Sequence, residues 1–453
     1  PATGRTPRRF SVGQVALMLP LVAAVVAARL PVRDNSYLWH VRAGSLQIER
    51  GEVLTVDPFS FTALGRPWRT QSWLADLLYG WADGIWGLQA VTPLVLVGAL
   101  VMVGAIGLRV YRVTPMALPA SIGTIWVMWL TIGYFTPRPV LFSLALLAVF
   151  LVAADDNRLR WALPLIMWLW ASIHGGFIIG LGYLVLDGLR RRDRSRLVDI
   201  GAATAVTFVT AHGWGTWQVV LKFLGSSGEL DLIVEWLTPD LFSIEHFPFA
   251  LALVALMLGA VNGRITKRDL WVVIPFLIFA FTANRAVPVA ALVLAPWFVS
   301  GLARVSRPSS LPSARQSAFN AGVLAAVLVV PWMVPLKGGL DQQLFGVQAV
   351  GHLGPGRVFH DDAVGGYLIY QQWPDRLVYI DDRAELYESD FADFVNARGG
   401  APGWEEVFER LDLSQALLKV SDPLGEVLTA KGWVEKYRDE RFVLLVQDED
   451  RDG

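Results

Sequence analysis

Asp34 opens the chemical reading of this sequence, because it lies where a carboxylate is unexpected. The stretch RDNSYLWH, residues 33–40, ends the first long apolar run with Arg33, Asp34 and His40. A carboxylate there can serve as a general base, taking a proton from an acceptor hydroxyl, if it stays ionised and reaches the reacting oxygen. Asp34 is equally suited to cap a helix beginning near Ser36, as Asx residues at helix starts do. The residues divide the two readings evenly. His40 lies on the same surface if a helix runs through both. A hydrogen bond at an interface is the more ordinary role for it, and substrate contact the rarer one.

A second set of polar residues interrupts the apolar runs further on. Arg138 stands in FTPRPVLFS, His174 in WASIHGGFIIG and Arg285 in TANRAVP. Ionisable groups at membrane depth are costly and are functional suspects by default. Arginine presents a fork of donors that matches phosphate oxygens. A single such residue is expected to snorkel to the headgroups. Three at turns on one face point to a shared site for a phosphate or pyrophosphate. In EWLTPD, Glu235 and Asp240 add carboxylates. Asp34 with Glu235 would provide oxygen ligands of the kind a divalent cation takes. No spacing specifies a metal site, and no cofactor is required by the sequence. Asp381, Asp382 and Arg383, in YIDDRAELY, are expected at a strand end. Ligands often bind there in α/β sheets, although a charged turn is the commoner outcome.

The elements that hold these residues follow from composition. The chain has 453 residues, 54% hydrophobic and 17% charged, with mean hydropathy +0.45. A soluble domain is about a quarter charged, and here the apolar residues come in blocks. The fold class is a polytopic α-helical membrane protein. There are no cysteines, which excludes disulfides, thiolate metal sites and cysteine nucleophiles. No phosphate-binding loop, dinucleotide fingerprint, nucleophile elbow or HExxH motif occurs. The run from Phe10 to Leu30 is too long for a signal h-region, and no cleavage is expected.

Eleven spans are expected, at about 10–30, 88–108, 116–134, 139–154, 160–173, 175–188, 197–211, 247–262, 270–283, 286–303 and 318–336. The stretches 160–188 and 270–303 each read as one long helix or two short ones. Counting Lys and Arg in the loops resolves both as pairs of short helices. It puts the N-terminus in the cytoplasm and the tail outside. His174-Gly175-Gly176 and Asn284-Arg285 then become external turns. The cytoplasmic connections are short and basic, with little room for a site. Those basic clusters are explained by topology, so no nucleic-acid partner is expected. The domain boundary falls after 336. Residues 1–336 form the membrane domain, including an external loop at 31–87, and 337–453 form a small α/β domain. Within that loop, Trp68, Trp73, Trp81 and Trp86 suit an interfacial helix. In the tail, RVFHDD, RLVYIDDR, QALLKV and RFVLLVQ read as strands. GWEEVFERL and DPLGEVLTAKG read as helices, and the alternation suggests a partly parallel sheet.

The pattern resembles the GT-C superfamily of integral membrane glycosyltransferases. The likeness rests on Asp34 after the first span, the continuation DPFSFT…W…SWL, RPVLFS and HGGFIIG in later spans, and GGYLIY…VYIDDRAELY in the tail. It implies a bacterial inner-membrane enzyme that takes a sugar from a polyprenyl-phosphate donor on the extracytoplasmic face. The acceptor hydroxyl would belong to a glycan, lipid or protein. Asp34 matches the position of the family's catalytic acidic residue, although many members carry an acidic pair where this chain has Asp34-Asn35. A single displacement would invert the anomeric centre. Two other readings stand beside this one. A flippase or transporter of a lipid-linked substrate would use the same basic groove, usually with internal repeats and a midplane site. A non-catalytic scaffold would bind a partner through the tail.

Overall fold

Apolar runs of this length fold as helices, because a helix satisfies its own backbone groups where water is absent. A computed structural model of the chain describes residues 12–225, 237–302, 339–387 and 389–448, with isolated positions between 318 and 329. The chain divides into two units. One comprises Pro1–Leu30 and Thr92–Lys337, and the other Pro31–Val91 and Gly338–Gly453.

The first unit is helical. It contains α1 (Val12–Ala27) and α4 (Val91–Val113), while α2 (Ser36–Arg50) and α3 (Trp73–Trp86) lie in the other unit. The helices after α4 are α5 (Ala117–Thr131), α6 (Pro139–Asp155), α7 (Leu163–Ile173), α8 (Phe177–Arg191) and α9 (Arg196–Val206). They continue as α10 (Trp214–Gly225), α11 (Phe247–Val261), α12 (Leu270–Ala280) and α13 (Ala286–Leu302). Ten of the eleven expected segments coincide with a helix, and both ambiguous stretches form two helices. The segment 318–336 lies almost wholly outside the described residues. Helix α10 occupies a stretch read from sequence as loop. Two helical runs, Trp73–Val113 and Ala117–Tyr134, are long and apolar enough to cross a membrane by length and composition. The other apolar helices are shorter, among them α6, α11, α12 and α13.

Helix α13 is the centre of this unit. Every residue from Ala286 to Val299 is buried, as expected of a helix apolar on all sides. Its neighbours include α5, α6, α11 and α12. The approach of α11 depends on glycine: a Cβ at Gly301 would lie 2.1 Å from the carbonyl oxygen of Ala255.

The second unit joins the first loop to the C-terminal segment. This differs from the boundary drawn at 336, because residues 31–91 share their contacts with 338–453. Helix α2 (Ser36–Arg50) packs on α3 (Trp73–Trp86). The crossing is made at Gly44 and Gly80, where a Cβ would lie 1.7 Å from Asp76 O and 2.3 Å from Ser45 N.

A four-stranded sheet, ordered β1-β2-β4-β3, completes the unit. Its strands are β1 (Arg357–His360), β2 (Leu413–Lys419), β3 (Val434–Arg438) and β4 (Phe442–Val446). β1 pairs parallel with β2, with His360 opposite Leu417. β2 and β3 each pair antiparallel with β4. The β1–β2 crossover contains α14 (Asp362–Gln372), α15 (Ser389–Arg398) and α16 (Trp404–Leu411), and α17 (Leu424–Ala430) follows β2. In the core, the Phe359 ring stacks on Phe408 and is tilted against Tyr379 and Phe394.

Two expectations are corrected here. RLVYIDDR is not a strand: it makes one bridge, Val378 to Ser60, and then turns where Asp381 accepts the Arg383 N–H. Trp68 does not lie on an interfacial helix. It is buried, with the Arg383 guanidinium 4.5 Å from its ring centre. Trp81 and Trp86 are exposed on α3.

Candidate functional site

Three chain segments of the second unit meet at the start of α2. The first, Pro31 to Ser36, is fixed by a bridge from Val32 to Leu340. The second is the start of α14, where Gly365 and Gly366 remove the side chains that would keep it away. A Cβ at Gly366 would lie 2.5 Å from Asn35 O, and one at Gly365 would lie 2.1 Å from Ile380 O. The third is the turn Ile380–Arg383. These close approaches explain why the GG pair stands in GGYLIY.

Ser36 links two carboxylates at this point. Its backbone N–H donates to Asp34 Oδ1 at 3.1 Å, and its hydroxyl donates to Asp382. The Trp39 indole N–H donates to the other Asp382 oxygen at 2.7 Å. Asp34 is 7% exposed. Its bond to the Ser36 N–H supports the helix start from one residue before the N-cap. The structure gives Asn35 the N-cap position, with no side-chain cap bond.

The two Asp-Asp pairs of the tail divide their work in the same way. In each, the first aspartate is a buried structural anchor; of the second aspartates, Asp382 bonds to the start of α2. Asp361 accepts from Lys419 at 2.7 Å and from Arg398 at 3.1 Å, and also from Ala363 N–H. Burial opposes its charge, but these partners hold it below the usual carboxylate range. Asp362 has the opposite balance. Burial, then the neighbouring Asp361 charge and Asp382, push it up to about 7. His360 is driven down to about 4 by burial. Its Nε2 accepts the Tyr379 N–H at 2.9 Å, so the neutral ring carries its proton on Nδ1, facing Asp361 O at 3.0 Å.

Asp381 and Asp57 hold Arg383. The guanidinium reaches Asp57 at 2.8 Å and Asp381 at 2.8 and 2.5 Å, and Tyr387 donates to Asp381 at 2.6 Å. Burial alone would pull Arg383 down, but the two carboxylates hold it protonated, well above its ordinary value. Burial would raise Asp381, and Arg383 holds it low. This clasp ties the first loop to the tail across more than three hundred residues of sequence. The 380–383 segment is thus not a strand end but a charged turn, and its Asp381 and Arg383 are buried.

His40 takes a structural place. It is buried, with Nδ1 2.5 Å from Asp76 Oδ1, and Thr70 donates to the other Asp76 oxygen at 2.7 Å. This chain of bonds pins α2 to α3 through His40 and Asp76. Arg138, His174 and Arg285 belong to the first unit and sit at helix ends. Arg138 is the N-cap residue of α6, His174 is the C-cap residue of α7, and Arg285 immediately precedes α13. The His174 Nδ1 accepts the Gly176 N–H at 3.0 Å. Glu235 lies outside the described residues, so its pairing with Asp34 around a cation does too. Among the described residues, no group of three or more His, Asp or Glu side chains is placed to hold a metal ion. Sequence reasoning missed Asp362 as a perturbed carboxylate. The available signal was its place after a strand, as the second acid of RVFHDD.

Neither a protein-family model nor a characterised protein sequence matches the chain. Solved structures do. The Archaeoglobus fulgidus oligosaccharyltransferase, tethered to an acceptor peptide containing the NVT sequon, aligns with TM-score 0.53 and 14% identity. The alignment covers 89% of this chain and 69% of that one. ArnT from Cupriavidus metallidurans, bound to undecaprenyl phosphate, aligns with TM-score 0.52 and 13% identity. Here the coverage is 96% of this chain and 97% of that one. Both are GT-C glycosyltransferases and polytopic membrane proteins, and the chain has their fold.

Proposed function

We propose that this GT-C-fold chain is a membrane glycosyltransferase that moves a sugar from a polyprenyl-phosphate donor to an acceptor hydroxyl. The observation that carries the reading is the fold, shared over nearly the whole length of a protein that binds undecaprenyl phosphate. Eleven spans with the second unit outside would place the reaction on the extracytoplasmic face of a bacterial inner membrane. Asp34, at the start of the second unit, takes the acceptor proton. The hydroxyl oxygen then attacks the anomeric carbon as the bond to the lipid phosphate breaks. Phosphate leaves with the bonding electrons, and Arg138, Arg285 and the Nε2–H of His174 are the donors assigned to hold it. Asp34 needs an orientation that survives burial, and the Ser36 N–H supplies one. Asp362, pushed up to about 7, is suited to exchange protons near neutral pH.

One displacement predicts inversion. Incubation with a polyprenyl-phosphate sugar of known anomeric configuration and a hydroxyl acceptor, with the product read by NMR, should give the opposite configuration. Retention would exclude the single displacement. Lipid movement across vesicles without any product would favour a flippase instead.

A further inference from the structure

The helical unit contains a cavity of about 720 Å³ lined by six arginines and three aspartates, in the size range of small-molecule sites. It lies where the short basic connections had seemed to leave little room. Arg138 precedes α6 and Asp155 ends it, so the length of α6, about 25 Å, separates this cavity from Arg138.

Its charges form two layers. The inner arginines have internal partners. Arg109 binds Asp155 at 2.8 Å and the carbonyls of Leu292 and Val293 at 2.8 and 3.0 Å. Arg190 and Arg191 share the fully buried Asp187. Stability explains that layer: each buried carboxylate is matched by guanidinium groups. It does not account for the exposure of the rim. Arg112, Arg158 and Arg264 are exposed there, although Arg112 stands 3.5 Å from Asp156 and Arg264 donates to the Ser300 carbonyl at 2.8 Å. Val113, Val152, Pro296 and Trp297 supply apolar wall. A concave site with low-dielectric walls and an excess of one charge sign concentrates counter-ions. Guanidinium forks select phosphate oxygens among anions, and basic pockets between membrane helices take anionic headgroups.

We propose that this cavity is an anion site for a phosphate ester, with Arg112, Arg158 and Arg264 as its ligands. It does not depend on Asp34 or on the transfer reaction. The phosphate belongs either to a membrane lipid or to a free phosphate ester, and the two sources need different probes. Native mass spectrometry of the full chain in detergent, titrated with phosphatidylglycerol, reads the lipid. Calorimetric titration with inorganic phosphate and glycerol 3-phosphate reads the free source. Wild type is expected to bind one probe saturably, with affinity falling about fivefold for each arginine removed in R112A/R158A/R264A. The probe that binds identifies the source. R112K/R158K/R264K keeps charge and exposure but loses the fork, and is expected to bind more weakly than wild type. An unchanged melting temperature separates these losses from misfolding. Failure of wild type to bind either probe, or wild-type affinity in both triple variants, overturns the site.

Discussion

At the residue scale, single side chains carry structural and chemical duties that substitutions can separate. Arg383 is the simplest, because it serves the fold alone. Replacing it with Met leaves Asp57 and Asp381 buried without their cation, and should cost about 3–5 kcal/mol, read as a lowered melting temperature. Asp362 gives a pH signature. Its folded value of about 7 lies above the ordinary carboxylate value, so the folded state binds more protons than the unfolded chain between about 4 and 7. Its contribution is therefore favourable in acid and is lost as pH rises through about 7. His360, held near 4, acts in the opposite sense, losing stability as pH falls from about 6.5. Asp362→Asn should remove the first dependence and leave the second. Its melting temperature, relative to wild type, should rise between pH 5 and pH 8 (~3 units, the range of the linkage), and a constant difference would refute the assignment. Asp34 was legible as a residue of interest because its place after an apolar run is a local feature. The partners of Arg383 were not, since Asp57 lies 326 positions away and no local pattern encodes that pairing.

At the scale of elements, the close crossing of α2 and α3 sets where His40 meets Asp76. Gly80→Ala would drive a Cβ to within 2.3 Å of the Ser45 backbone nitrogen. Backbone cannot yield as a side-chain tip can, so a loss of about 1–3 kcal/mol is expected, measured by thermal unfolding. Wild-type stability would mean that the crossing is looser than it stands here. Helices were legible because long apolar runs leave few alternatives, and so was the break at His174-Gly175-Gly176. RLVYIDDR misled because alternation signals a half-buried extended segment, which Val378 does form, with no neighbour to continue the ladder. α10 was missed because WGTWQVVLKFLG is too short and polar for a span and was read as loop.

At the scale of the whole molecule, the first loop and the tail form one unit although the sequence separates them. Composition shows only that both are less apolar than the helices between them. Their association rests on the Arg383 clasp and on the meeting of α14 with the start of α2, contacts with no local signature. Membrane orientation has a direct test, because the chain has no cysteines. A single cysteine placed at Gly175 should react with a membrane-impermeant maleimide on intact cells, and one placed at Arg192 only after the cells are opened. Labelling of both from one side would overturn the eleven-span path.

The central claim, that Asp34 is the base of a glycosyl transfer, is tested most directly by Asp34→Asn. Asparagine retains an oxygen that accepts the Ser36 N–H, so the helix start is kept while the base is removed. Transfer from a labelled polyprenyl-phosphate sugar should fall by at least about a hundredfold, with the melting temperature unchanged. Turnover equal to wild type would contradict the assignment.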